Sequence, residues 1–106
     1  MRAMSERLQK LLGMLERGSN DPFVLYAIAL EHKKLGDAKS AIEFFDRTIA
    51  ADAGYCYAYY QKGQVLESLG DSGAARETYQ AGIAAAQRKG DAHAQSEIEG
   101  ALSMLG

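Results

Sequence analysis

The side chains best suited to chemistry in this sequence are two histidines and one cysteine, and no two of them lie close together along the chain. His32 falls in an apolar periodic segment, where a core or half-buried histidine is favoured over a catalytic base. His93 follows a Gly-Asp pair and is expected to be exposed. Cys56 has no histidine nearby in sequence to activate its thiol, so we interpret it as a packing residue at a helix start.

The other groups that could take part in catalysis are also better explained without a catalytic role. The four tyrosines between residues 55 and 60 look like a cluster, but alternate members face opposite sides of a helix. Glu97 and Glu99 are interpreted as solvated carboxylates, and no glycine-rich phosphate loop is present. A single cysteine excludes a zinc site built from several thiolates. The sequence therefore predicts a protein that is not an enzyme, with no catalytic residue, no metal and no cofactor.

Charge and hydropathy argue against several kinds of partner. The 106-residue chain has a formal net charge of −2 and no block of like charge, so neither nucleic acid nor an anionic membrane is an expected partner. No apolar run reaches the roughly 18–20 residues that span a bilayer. The N-terminal stretch carries Glu6, Lys10 and Glu16 and does not resemble a signal peptide. Together with the lone Cys56, these features predict a cytoplasmic protein.

Helices must position all of these residues. Pro22 is the only proline, and the chain is rich in strong helix formers. Three Gly-Asp pairs separate apolar periodic segments, because glycine can end one helix and aspartate can cap the next. No segment has the pattern of a strand. The periodicity predicts six helices, at about 5–17, 22–35, 38–51, 55–69, 72–88 and 92–105.

The middle of the chain contains a repeat. Gly36-Asp37 and Gly70-Asp71 are 34 residues apart, and residues 22–55 match residues 56–89 at nine of 34 positions without a gap. The identities include the turn itself and a pair of small residues, Ala41 and Ala75. Connections of two to five residues require neighbouring helices to form antiparallel hairpins.

A 34-residue helix–turn–helix period resembles the tetratricopeptide repeat, with its pattern W-x2-L-G-x2-Y, then A-x3-F, then P. At the pattern positions the first unit has Leu25, Ile28, Ala29, His32, Ala41, Phe45 and Ala53. The second unit has Tyr59, Lys62, Gly63, Leu66, Ala75, Tyr79 and Gln87 there. The resemblance implies an all-α solenoid of antiparallel helical hairpins. Both units lack the closing proline, so the helix at 72–88 can continue past the usual stop. Lys62 replaces a leucine, and we expect its stem to pack while its ammonium reaches water.

The expected organisation is one domain with four parts. Residues 1–20 form an N-terminal capping helix, 21–54 the first repeat, 55–89 the second repeat and 90–106 a C-terminal capping helix. Two repeats are close to the minimum for a solenoid, so the end helices should cover the outer hairpin faces. Apolar stripes suited to this are Leu8, Leu11, Leu12 and Leu15 in the first helix, and Ile98, Ala101, Leu102 and Leu105 in the last.

A second stripe on the first helix of each repeat is the candidate binding surface. In tetratricopeptide proteins these helices line a concave surface, so the resemblance implies a groove that binds a peptide or helix of another protein. The candidate groove residues are Phe23, Tyr26, Leu30, Lys33, Lys34, Tyr57, Tyr60, Gln61 and Gln64. Lys33 and Lys34 are either partners for an acidic ligand or a solvated helix end that complements the helix dipole.

Several alternatives stay open at this point. The helix at 5–17 could cover Phe23, Tyr26 and Leu30, and a partly covered groove with Tyr57 and Tyr60 still open is the expected compromise. The protein could also self-assemble into a homodimer through its two terminal helices, with a structural function. A third possibility is an accessory domain that works beside a larger protein. The partner's identity does not follow from the sequence.

Overall fold

The computed structural model describes residues 5–105, which form six α-helices and no strand. The helices are α1 (Glu6–Glu16), α2 (Pro22–Lys34), α3 (Ala38–Ala51), α4 (Cys56–Ser68), α5 (Ser72–Lys89) and α6 (Ala92–Ser103). The predicted all-α class is confirmed, and each helix lies within two residues of its predicted bounds. Residues 1–4 and 106, which the sequence assigns to the two capping segments, lie outside the described residues.

The same turn ends three of the helices. Its glycine has a positive φ of 80° at Gly36, 80° at Gly70 and 76° at Gly90. The aspartate that follows each glycine accepts a hydrogen bond from a backbone N–H in the next helix, at 3.0–3.2 Å. Only glycine adopts this left-handed conformation without steric cost, and the carboxylate satisfies an N–H that has no partner within the helix. The predicted punctuation by Gly-Asp pairs is confirmed.

The core of each hairpin is built around the small residues of the repeat, which lie where the two helices are closest. Helix α2 packs along α3, and α4 packs along α5. Ala41 and Ala75 are completely buried, as are the rings of Phe45 and Tyr79 that follow them by one helical turn. A methyl group at the alanine positions lets the two helices of a hairpin approach closely enough for these rings to fill the space beside them. The hairpin packing predicted from Ala41 and Ala75 is confirmed.

The two end helices extend this packing. Leu8 of α1 is buried, and Leu11, Leu12 and Leu15 pack against the core of the first hairpin. Polar groups add to this contact, because Glu31 of α2 pairs with Arg7 at 3.0 Å and accepts a hydrogen bond from Ser5 at 3.3 Å. At the other end, α6 contacts both α4 and α5, and Ile98 is completely buried.

Helix α5 is the longest of the six, at 18 residues. It runs through Gln87, where the repeat pattern has a proline, and ends at Gly90. The predicted continuation past this position is confirmed. None of the helices in the described part of the chain is long and apolar enough to cross a membrane.

Candidate functional site

Helices α2 and α4 are the first helices of the two hairpins, and their side chains meet across the junction between the hairpins. We call the surface they share the α2–α4 face. Its residues are Phe23, Tyr26, Leu30, Lys33, Tyr57, Tyr60, Gln61 and Gln64, which include eight of the nine candidates. The ninth, Lys34, is exposed at the end of α2.

Lys33 links the two helices of this face. Its Nζ donates to Oε1 of Gln61 at 2.5 Å and to Oε1 of Gln64 at 2.8 Å. Burial lowers the pKa of the Lys33 ammonium, because a charged group loses hydration there. The interpretation of Lys33 as a solvated helix end is therefore wrong, since its ammonium is held between two amides of the next hairpin.

Tyr26 lies at the opposite end of the face, among other rings. Its ring centroid is 4.8 Å from that of Tyr55 and 5.9 Å from that of Phe45. Burial, assisted by the neighbouring Tyr55, raises the pKa of Tyr26 to about 12. Tyr55 was missing from the candidates, because it does not belong to the stripe that holds Tyr57, Tyr60 and Gln64; the structure places it at the N-cap of α4.

Phe23 and Leu30 show how much of this surface the first helix leaves uncovered. Phe23 is 61% exposed, while Leu30 is half-buried against the core of the first hairpin. Helix α1 instead reaches the stripe that contains Glu31. The alternative in which α1 covers Phe23 is therefore wrong.

Tyr57 and Tyr60 are less open than expected. Their rings meet edge to face with centroids 6.3 Å apart, and both are half-buried. The Tyr57 hydroxyl donates to Oε1 of Glu97 in α6 at 3.1 Å, and His93 Nε2 lies 2.6 Å from the same oxygen. The expectation of an open Tyr57 is wrong, because α6 reaches across to it. Glu97 is likewise a bonding partner and not merely a solvated carboxylate.

The remaining candidates for chemistry have structural surroundings. His32 is largely buried and stacks on Phe44 with centroids 5.6 Å apart, as the half-buried interpretation predicts. Cys56 is buried at the start of α4, its thiol donates to the Gly54 carbonyl at 3.3 Å, and burial raises its pKa. A raised pKa keeps the thiol protonated and poorly nucleophilic. The Lys62 ammonium pairs with Asp46 at 2.6 Å.

Two shallow cavities lie at opposite ends of the α2–α4 face. One has a volume of about 230 Å³ and is lined by Lys33, Gly36, Ala38, Gln64, Val65 and Ser68. The other has a volume of about 240 Å³ and is lined by Tyr26, Tyr55, Cys56, Tyr57, Lys89 and Asp91. Within residues 5–105, no three His, Cys, Asp or Glu side chains lie close enough together to hold a metal ion.

A comparison with known protein families finds the same two hairpins. The tetratricopeptide-repeat model matches residues 24–55 and 57–89. The chain belongs to the tetratricopeptide-repeat family. Each of the two matched segments covers one helical hairpin, α2 with α3 and α4 with α5.

Individual proteins are similar to this chain along most of its length. A TPR repeat-containing protein from Pseudomonas aeruginosa is 28% identical over 95 residues, which cover 90% of this chain and 88% of that one. The solution structure of a tetratricopeptide repeat domain protein from Salinibacter ruber has a TM-score of 0.76 and 34% identity, covering 80% of this chain and 86% of that one. A protein from Bordetella parapertussis has a TM-score of 0.81 and 25% identity, covering 99% and 89%. The last match includes the terminal helices.

Proposed function

We propose that this tetratricopeptide-repeat protein is a protein–protein interaction module, not an enzyme, and that it binds a peptide or helix of another protein in a concave groove on the α2–α4 face. The observation that carries the proposal is the exposure of Phe23, at 61%, about one helical turn before the half-buried Tyr26 in α2. An exposed aromatic side chain that joins a wider apolar surface is costly in water and is typical of a binding site. The fold supports the same function, because this family commonly serves in protein–protein interaction.

The composition of the face suits a peptide ligand. Aromatic side chains give a large contact area and lose little conformational entropy on binding, which makes them frequent hot spots. The amides of Gln61 and Gln64 and the Lys33 ammonium supply polar contacts next to these rings. A surface with both kinds of group can hold a partner segment in a fixed orientation.

Quantitative affinity capture with three forms of the protein tests this proposal. Phe23→Ala should weaken binding of the captured partner by about 2 kcal/mol or more, as expected for an aromatic hot spot. Leu69→Ala is the matched control, because Leu69 is 57% exposed but lies at the end of α4 outside the α2–α4 face. Equal loss in both variants, or no loss in Phe23→Ala, would argue against binding on this face.

Self-association through the terminal helices is a second candidate function. It is favoured by apolar side chains that remain uncovered there, Met104 at 87% and Met14 at 39%. Light scattering over a range of protein concentrations tests it, with Met104→Gln expected to reduce the apparent mass if the end of α6 mediates association. A concentration-independent monomer mass would exclude it. A cytoplasmic location stays a prediction from the sequence.

A further inference from the structure

The Lys33 ammonium has an unusual position for a lysine, since it is partly desolvated without a negative partner. An ammonium has three N–H donors, and Gln61 and Gln64 accept two of them. None of the ion pairs among residues 5–105 includes Lys33. Burial lowers the pKa of Lys33, because the ammonium loses hydration there. Among residues 5–105, no acidic side chain thus neutralises the Lys33 ammonium.

The neighbouring cavity has room for the missing negative group. It has a volume of about 230 Å³ and borders both Lys33 and Gln64. A water molecule occupies roughly 30 Å³ in the liquid, so a carboxylate with its linking carbon fits readily. Because Oε1 of Gln64 accepts from Lys33, its amide Nε2 is the donor that faces a ligand carboxylate, whereas the Gln61 amide also hydrogen bonds to Tyr26. Charge-assisted hydrogen bonds of this kind are about twice as strong as neutral ones.

The second cavity on the same face is lined by three tyrosine rings, together with Cys56 and the charged side chains of Lys89 and Asp91. It is about 240 Å³ in volume, and the rings of Tyr26, Tyr55 and Tyr57 form much of its wall. We call it the tyrosine cleft. Tyr26 and Lys33 are separated by seven residues of one helix, which corresponds to about 10 Å along its axis. One ligand segment can therefore reach both sites.

We infer that Lys33, together with Gln61 and Gln64, binds an aspartate or glutamate side chain of the partner, and that the tyrosine cleft binds a large apolar or aromatic side chain of the same segment. This inference rests on the proposed function and specifies the chemistry of its ligand. A separation of about 10 Å corresponds to three residues in an extended ligand or seven in a helical one. The ligand is thus a short acidic and aromatic motif with one of these two spacings.

A display selection tests the motif without knowledge of the natural partner. The probe is a random peptide library displayed with its C-terminus fused to the carrier, so that only side-chain carboxylates are available. Selection on the wild type should enrich sequences with Asp or Glu three or seven residues from a large apolar residue. Selection on Lys33→Gln, which keeps a side chain able to hydrogen bond to the amides, should retain the apolar preference and lose the acidic one.

A double-mutant cycle then measures the contact directly. A selected peptide should bind the wild type about tenfold more tightly than its own Glu→Gln or Asp→Asn version, in line with charge-assisted hydrogen bonds. Against Lys33→Gln the two peptides should bind equally. Lys10→Gln is the matched control, since it removes one exposed positive charge on α1, and there the tenfold difference should persist. Denaturant unfolding of each variant checks that all of them are folded.

The outcomes separate this inference from the proposed function. Peptides whose binding depends on Phe23 but shows no acidic preference would overturn the inference and leave the function standing. An acidic preference that Lys33→Gln does not abolish would also overturn the inference. Binding that is indifferent to Phe23 and Tyr60, or no enrichment on the wild type, would overturn the proposed function itself.

Discussion

Gly63 of α4 lies directly against the ring of Tyr79 in α5. A Cβ atom built at Gly63 would come 2.7 Å from both Cδ1 and Cζ of that ring, closer than real Cβ contacts allow. The ring cannot easily retreat, because Tyr79 is completely buried and its hydroxyl donates to the Glu67 carboxylate. The absence of a side chain at residue 63 therefore sets the distance between the two helices of the second hairpin.

Replacing Gly63 with alanine should destabilise the protein, although alanine is the better helix former. The overlap involves several atoms of the buried Tyr79 ring, so its cost should lie near the upper end of the overpacking range, about 3 kcal/mol, which exceeds alanine's propensity gain of about 1 kcal/mol. Urea unfolding measures the difference. Gly100→Ala is the control, because Gly100 lies within α6 with nothing within 4 Å of its built Cβ. That variant should be as stable as the wild type or up to about 1 kcal/mol more stable. A stabilised Gly63→Ala would contradict the close contact.

Ala75 should tolerate enlargement no better. It is completely buried at the contact between α4 and α5, so Ala75→Leu should cost roughly 1–3 kcal/mol through overpacking. The control is Ala50→Leu, because Ala50 is exposed on α3 and should change stability by less than about 0.5 kcal/mol. Thermal melting distinguishes the two variants. An unchanged melting temperature in Ala75→Leu would mean that the second hairpin has spare room there.

The turns and the buried small residues could be predicted from the sequence, because short local patterns specify them. The side-chain contacts between hairpins could not, because they depend on the angle at which the hairpins pack. The turn at Gly36-Asp37 follows from the conformations these two residues prefer, and the burial of Ala41 follows from the repeat pattern. The contact of Lys33 with Gln61 depends on how the second hairpin sits beside the first, which no local pattern specifies. The same holds for Tyr57 and Glu97, 40 residues apart, because α6 lies outside the two matched repeats.

Alkaline pH should destabilise the fold through its tyrosines. Burial raises the pKa of Tyr26 from its ordinary value of 10.0 to about 12, and it also raises the pKa of Tyr55 and Tyr59. The neutral form is favoured in the folded state, so this stabilisation is fully present below pH 10 and is lost as the pH rises towards 12. Urea unfolding at several pH values should show a falling free energy of unfolding above about pH 10.

Tyr26→Phe isolates one part of this effect. The variant cannot ionise at residue 26, so its free energy of unfolding should fall less steeply with pH than that of the wild type. Spectroscopic titration of both folded proteins should show one phenol fewer ionising above pH 10 in Tyr26→Phe than in the wild type. Identical pH slopes in the two proteins would mean that Tyr26 is more hydrated than its ring contacts indicate.

The last prediction separates stability from binding on the α2–α4 face. Phe45 is completely buried, so Phe45→Ala should lose roughly 3–5 kcal/mol of stability through the cavity it leaves. Tyr57→Ala combined with Tyr60→Ala should cost less, because both rings are only half-buried where they pack against the core, and Tyr57 adds a hydrogen bond to Glu97. Losing that hydrogen bond alone, in Tyr57→Phe, should cost about 1 kcal/mol. Denaturant unfolding of the three variants gives these values, and binding of the partner should fall by at least about 2 kcal/mol in the double variant.

A large loss of stability in the double tyrosine variant would contradict this prediction. If the tyrosine pair proves as destabilising as Phe45→Ala, these rings serve the junction between α4 and α6 and are not available to a ligand. Binding would then depend on Phe23 and Tyr26 at the α2 side of the face, where Phe23 keeps 61% of its surface exposed. A loss of binding in Phe23→Ala with retained stability would separate that narrower surface from a failure of the whole groove.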